Sequence, residues 1–154
     1  MMVNIFAGNA EREVLFRADI ASLEGADLTG AQLPAAQLRG SNCQGIILNA
    51  ANLQHADFTD ADLQKARLCA ADLTGAKLTQ VNLAGADLEG ANLRLACLNH
   101  ANLRGANLKW SQLVGADLTG ADLTGAVLNG AVADASTIWP LGFDPETRGA
   151  WVIP

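Results

Sequence analysis

The chain has 154 residues, of which half are hydrophobic, and it carries a formal net charge of −6 with a sequence pI near 4.7. This length fits one domain, and the acidic balance argues against a nucleic-acid binder, which needs a basic patch or stripe to meet phosphates. The three cysteines contain no CxxC pair, so the sequence predicts neither a disulfide framework nor a zinc site.

The first 20 residues precede any repeat. The start, MMVNIFAGNAERE, has neither the basic residues nor the long apolar run of a signal peptide, and no later segment approaches the roughly 18 apolar residues of a membrane span. We therefore expect a cytoplasmic protein without membrane contact. Asn9 followed by AEREVLFR is typical of an N-capped helix, with Glu11 and Glu13 near the positive end of its dipole. We predict that residues 1–20 form an N-terminal cap containing a short helix.

The middle of the chain repeats every five residues without a break. Counting in fives from Leu23 to Leu128 gives 22 positions, of which 20 are Leu. Two residues before each of these positions, 18 of 22 residues are Ala, and the residue in between is mostly Asp, Asn or Gln. The repeat closes with Gly in 12 of 22 cases. The positions counted in fives form the predicted core, which includes Leu23, Leu28, Cys43, Phe58, Leu73, Leu118, Leu123 and Leu128.

A period of five fits neither a helix nor a strand. Five residues advance a helix by a net rotation of about 140° and a strand by an odd number of half-turns, so successive leucines would not share a face. Ala-x-Leu instead puts two side chains on one face of a short extended segment, and the next two residues, with Gly suited to a type II turn, bend the chain by a right angle. Four corners close a coil of about 20 residues, and stacked coils pair through backbone hydrogen bonds at about 4.8 Å.

The repeat resembles the A(D/N)LXX motif of the pentapeptide-repeat family, and residues 21–131 carry the resemblance. The resemblance implies an all-β fold, a right-handed quadrilateral β-helix, here of about five and a half coils. The best-known activity of the family is the inhibition and protection of DNA gyrase by members that imitate duplex DNA. An alternative function implied for this chain is therefore a DNA-mimic regulator of DNA gyrase or another DNA-binding enzyme.

Charge on the four faces bears on that alternative, because every fourth repeat lies on the same face of the coil. Residues 21–131 hold ten acidic and seven basic residues, and each face sums to a charge of −1 or 0. Interleaved charges of opposite sign keep a surface soluble but do not make a polyanion. DNA mimicry is therefore an alternative function rather than the favoured one. We also expect no direct nucleic-acid binding.

Beyond residue 131 the repeat gives way to DASTIWPLGFDPETRGAWVIP, which is rich in turn signals. Trp139, Phe143 and Trp151 are large apolar residues for such a short irregular tail. We predict that residues 132–154 fold back onto the last coil as a C-terminal capping tail. The same surface is an alternative contact for a second copy, a homodimer through a terminal cap, since open coil ends invite pairing.

Catalysis needs a concave pocket with convergent polar groups, whereas a core of stacked Leu and Ala directs polar side chains outward. We therefore expect no enzyme, no cofactor and no metal. His55 and His100 are corner residues about two coils apart, too far to share a metal. Asp57, Asp60 and Asp62 are neighbours in sequence, but the corner directs Asp57 and Asp62 onto different faces.

The cysteines offer no clear reactive site. Cys43 occupies a leucine position and is expected to be a small buried hydrophobe. Cys69 and Cys97 fall on outward positions, where nothing in the sequence indicates a lowered thiol pKa.

A candidate interaction surface is formed by five apolar residues at outward or corner positions: Ile47, Leu95, Trp110, Val114 and Val127. Ile47, Trp110 and Val127 fall on one face, and the other two fall on the next. Exposed apolar residues that cluster mark interfaces, and Trp is a favoured anchor. The alternative is that Trp110 and Val127 only seat the C-terminal tail. The sequence predicts a non-catalytic protein-binding or structural scaffold with an unidentified protein partner.

Overall fold

The structure, a computed structural model, describes residues 2–6, 14–19 and 23–154. Strand β1 (Met2–Phe6) pairs antiparallel with β2 (Val14–Asp19). The predicted N-terminal helix is wrong where it can be compared, because residues 14–17 belong to β2, while residues 9–13 lie outside the described residues. Helix-capping signals are weak local preferences, and pairing with a β-rich segment overrides them.

From residue 23 onward the chain forms a stack of parallel coils. Asp27 bridges Ile47, and the same parallel pairing with the residue 20 positions on continues as far as Gln112 and Val132. Because the repeat is five residues long, each coil has four walls. Three residues of each wall are extended and two form the corner, so the walls pair through isolated bridges rather than through long strands.

From residue 26 to residue 110, three backbone hydrogen bonds join each wall to the same wall of the next coil. In the wall 101–105, the Leu103 N–H donates to the Asp122 carbonyl and the Gly105 N–H donates to the Thr124 carbonyl, both at 2.9 Å. In return, the Asp122 N–H donates to the Ala101 carbonyl at 2.9 Å. This repeating pattern pairs the backbone of these walls and fixes their register.

The core is the column of inward side chains. The eight residues predicted for it have exposures of 9% or less, and Cys43, Phe58 and Leu118 are completely buried. Ala, the other inward residue of each wall, keeps the coil narrow, so that each Leu packs against the Leu of the neighbouring coils. Ser41 and Ser111 replace Ala in two repeats, and each hydroxyl donates to a carbonyl three residues earlier, at 2.6 Å and 2.8 Å.

Every corner of the repeat uses a left-handed residue. The 22 closing residues from Gly25 to Gly130 all have positive φ: the glycines lie between 64° and 72°, and the ten other residues lie between 54° and 61°. At the first corner the Ala26 N–H donates to the Leu23 carbonyl at 3.2 Å, the bond of a four-residue turn. Each non-glycine corner costs about 1–2 kcal/mol in backbone strain, which the stacked walls on both sides must outweigh.

The Asp or Asn in the middle of each wall has a local role. The Asp117 carboxylate accepts the Thr119 N–H at 2.9 Å and the Thr119 hydroxyl at 2.6 Å. Asn102 likewise accepts the Arg104 N–H at 3.2 Å. A side-chain acceptor two residues before the turn satisfies an N–H that the coil leaves free, which explains why short Asp and Asn prevail at this position.

Near the C-terminal end, the 20-residue spacing between paired residues becomes 21. Asp117 pairs with Ile138, one position later than the period requires, and the extra residue is absorbed in the turn after strand β3 (Val132–Asp134). Asp134 fills the gap with its side chain, which accepts the Gly115 N–H at 3.3 Å. After a 3-10 turn (Glu146–Arg148), strand β4 (Trp151–Ile153) pairs in parallel with β3 and adds a last rung.

Candidate functional site

The C-terminal third of the coil stack carries an exposed pair of indoles. Trp110 is a corner residue with φ 58°, and its ring extends over Gly130, the corner residue of the next coil. Trp151, on β4, meets Trp110 edge to face, with 6.1 Å between ring centroids and 87° between the planes. The two residues stay 55% and 61% exposed. The tail therefore packs against Trp110 without covering it.

The five residues predicted for the interaction surface do not form one patch. Ile47 and Val127 lie on the same wall but four coils apart, a separation of about 19 Å at the usual strand spacing. Both are half-buried. Val114 and Leu95 lie on the neighbouring corner, where Leu95 is 65% exposed. The structure thus separates Ile47 from the group at the C-terminal end.

Sequence reasoning missed the apolar residues that the tail adds to this end. Ile138 is 52% exposed, and the three residues of β4, Trp151–Ile153, are exposed as well. The short apolar run Trp151-Val152-Ile153 indicates a strand, but the sequence does not show which wall of the coil this strand pairs with. We name Leu95, Trp110, Ile138 and Trp151–Ile153 the C-terminal apolar surface.

Bulky corner side chains lie over glycines of the following coil. A Cβ added to Gly75 would lie 2.6 Å from Nδ1 of His55, and one added to Gly115 would lie 2.7 Å from Cδ2 of Leu95. His100 covers Gly120 in the same way, as Trp110 covers Gly130. The two histidines are exposed corner residues whose rings rest on backbone, and in the described part of the chain no cluster of metal-ligating residues forms around them.

The three neighbouring carboxylates Asp57, Asp60 and Asp62 have separate partners. Asp60 pairs with Arg39 at 3.3 Å, and Asp62 accepts the side-chain amide of Gln44 at 2.6 Å. Burial raises the pKa of Asp57, but the hydroxyl and N–H of Thr59 outweigh burial and hold it below its usual value. Carboxylates that are each engaged elsewhere do not converge on a cation.

The three thiols differ in access. Cys43 is completely buried, and burial raises the pKa of its thiol, with Sγ 3.2 Å from Oγ of Ser41. Burial, followed by the neighbouring Asp87, raises the pKa of Cys69 to about 11. Cys97 is exposed. A raised pKa removes the thiolate that nucleophilic chemistry needs, so neither Cys43 nor Cys69 is an activated nucleophile.

Charges of opposite sign alternate along the walls. Asp57 bridges Lys77, and Arg67 bridges Asp87, so that a carboxylate and a cation stand side by side in successive coils. An exposed ion pair joins Arg104 to Asp122 at 3.0 Å. Neighbouring opposite charges cancel within a Debye length, and these walls therefore carry no continuous negative stripe.

Parallel coils with a period of 20 residues, a buried ladder of Leu and Ala, and polar groups held in local turns define a β-solenoid repeat protein. Among the described residues no helix is long and apolar enough to cross a bilayer.

The model of the pentapeptide repeats (eight copies) matches residues 21–42, 36–75, 71–109 and 111–137. The chain belongs to the pentapeptide-repeat family, as the resemblance of its motif indicated, and the family fold is the right-handed quadrilateral β-helix.

Two solved cyanobacterial structures resemble the chain. The crystal structure of alr5209, a pentapeptide repeat protein from Nostoc Pcc 7120, is 36% identical with a TM-score of 0.65, over 66% of this chain and 84% of that one. Rfr23, a pentapeptide repeat protein from Cyanothece 51142, is 33% identical with a TM-score of 0.63, over 75% of this chain and 88% of that one.

QnrB1, a plasmid-mediated fluoroquinolone resistance protein, aligns at 22% identity with a TM-score of 0.32, over 73% of this chain and 67% of that one. No curated protein matches the chain.

Proposed function

We propose that the chain is a non-catalytic scaffold that binds a partner protein through the C-terminal apolar surface. The observation that carries the proposal is the pair Trp110 and Trp151, which pack together yet remain more than half exposed. A pair of indoles held by packing loses little conformational entropy on binding and offers a large apolar area, as interface anchors do. Leu95 and Ile138 are further exposed apolar residues at this end of the stack, on the neighbouring corner and wall, and Val114 and Val127 are half-buried.

A photocrosslinking amino acid at position 110 tests the proposal in a lysate of the source organism. We expect a discrete protein adduct there, and none when the same amino acid replaces Ala70, an exposed corner residue in the same column two coils earlier. Equal adducts at both positions would contradict the proposal. Sedimentation equilibrium of the pure protein separates a second copy from a different partner, since self-association makes the average mass rise with concentration.

The alternation of charge argues against the alternative function, DNA mimicry toward gyrase. A mimic of duplex DNA needs regularly spaced negative charge, whereas Asp57 stands beside Lys77 and Asp87 beside Arg67. We expect the supercoiling activity of DNA gyrase to be unchanged by a large excess of this protein. Inhibition of supercoiling would favour DNA mimicry over the scaffold function.

A further inference from the structure

The wall 121–125, at the C-terminal end of the stack, has an open backbone edge. The four walls of this face from 41–45 to 101–105 each donate two N–H groups to the next coil and accept one in return. At the last wall the Leu123 N–H, the Gly125 N–H and the Ala121 carbonyl have no hydrogen-bond partner among the described residues. One rung of the solenoid is therefore missing here, although its donors and acceptor are in place.

The tail leaves this rung empty because residues 140–143 form a turn rather than a strand paired with the wall. The Phe143 N–H donates to the Pro140 carbonyl at 3.0 Å, which closes a turn, and Leu141 at its tip is fully exposed. The turn and the wall border an open cavity of about 360 Å³, lined by Leu123 and Thr124 on one side and by Phe143 and Arg148 on the other. Trp139 stacks on Phe143 at 5.3 Å between centroids and so supports the outer side.

The cavity also has a cation. The Arg148 guanidinium lies 5.9 Å from the centroid of the Phe143 ring, and no carboxylate of the described residues is within ion-pair distance of it. Asp122, the acidic residue of the lining, is already paired with Arg104 at 3.0 Å. A guanidinium with a free hydrogen-bonding edge favours a carboxylate.

We propose that this end of the solenoid binds an extended acidic peptide segment, which adds one rung to the wall 121–125 and places a carboxylate against Arg148. The peptide would donate one N–H to the Ala121 carbonyl and accept from the Leu123 and Gly125 N–H groups, in the register that Asp122 and Thr124 take on the wall before. The site is separate from the C-terminal apolar surface, so it does not depend on the function proposed for Trp110.

The test uses the full chain and a blocked synthetic peptide, AGADLEGANL, which copies residues 84–93. We expect saturable binding in fluorescence anisotropy, and shifts and slower hydrogen exchange at the Leu123 and Gly125 amides in NMR spectra. The neutral peptide AGANLQGANL is the control for charge, and it is expected to bind about tenfold more weakly. Equal binding of the two peptides, or unchanged amides at positions 123 and 125, overturns the proposal.

Two variants locate the binding. Thr124→Trp, which fills the cavity, is expected to weaken binding about tenfold, whereas Ala84→Trp, at the same corner two coils earlier, leaves it unchanged. Arg148→Gln removes the charge and weakens binding of the acidic peptide, with Arg94→Gln as the control. Binding that survives both Thr124→Trp and Arg148→Gln overturns the proposal. Amide shifts at positions 123 and 125 that appear without peptide and grow with protein concentration also overturn it, because they would assign the edge to a second copy of the chain. Trp110→Ala leaves peptide binding intact.

Discussion

The imidazole of His100 lies over the α-carbon of Gly120, where an added Cβ would come within 2.6 Å of Cε1 of the ring. Gly120 therefore serves two purposes: it adopts a φ of 67°, and it leaves room for the side chain of the coil below. Ten non-glycine residues occupy comparable corners with positive φ. Backbone strain by itself thus does not require glycine at a corner, and the bulk of the neighbouring corner side chain becomes the stronger constraint.

Gly120→Ala is expected to destabilise the protein more than Gly90→Ala. Gly90 has nearly the same φ, 66°, but an added Cβ there meets nothing within 4 Å, so its substitution measures strain alone, about 1 kcal/mol. The difference between the two free energies of unfolding, measured in urea, reports the displaced imidazole. In the Gly120→Ala background, His100→Ala should recover stability. A double-mutant cycle with no coupling would contradict the stacking of His100 on Gly120.

The contact between Trp110 and Trp151 is expected to contribute about 0.5–1.5 kcal/mol beyond the burial of area, as edge-to-face aromatic pairs do. The coupling free energy from Trp110→Ala, Trp151→Ala and the double variant measures it. Near-ultraviolet circular dichroism should lose the same band in either single variant. Additive effects, or two unrelated spectral changes, would show that the tail does not pack on Trp110.

The ordinary pKa of an aspartate is about 3.9, and the pKa of Asp117 is expected to lie below this value. The Thr119 hydroxyl, then the Thr119 N–H, lowers the pKa of Asp117 by bonding the charged form. A folded-state pKa below the unfolded value stabilises the protein above about pH 4, and this contribution is lost as the pH falls through the lower folded-state pKa.

Thr119→Val should raise the Asp117 pKa in a carbon-13 NMR titration and move acid unfolding to higher pH. Thr79→Val is the matched control, because Thr79 occupies the same corner position two coils earlier and follows Lys77 rather than a carboxylate. If the two variants shift the acid transition equally, the hydroxyl of Thr119 does not act through Asp117.

Alkylation with iodoacetamide at pH 8 is expected to follow the order of access. Cys97 is exposed and should react first, Cys69 should react slowly because its pKa is raised to about 11, and Cys43 should react only after unfolding. Mass spectrometry of tryptic peptides gives the three rates, and Cys97→Ser removes the fastest phase as a control. Fast labelling of Cys69 in the folded protein would mean that Asp87 and burial do not suppress its thiolate.

The sequence by itself determined the coil. Leu23 to Leu128 recur at one spacing, and the two residues after each leucine can only serve as a corner, because a five-residue step matches neither the helix nor the strand period. Burial of the inward positions and positive φ at the closing residues follow from that local logic, repeated 22 times. The same logic placed Trp110 at an outward corner, where the structure leaves it exposed.

The tertiary structure alone decided the ends. Residues 14–17 look like part of a capped helix, yet they pair as β2 with β1, since a partner strand outweighs a local preference. The extra residue between Asp134 and Ile138, the return of β4 beside β3 and the meeting of Trp151 with Trp110 depend on contacts between segments that no period connects. The open edge at Leu123 and Gly125 exists for the same reason: a repeat specifies how a coil receives the next one, but where the stack stops is set by the path of the tail.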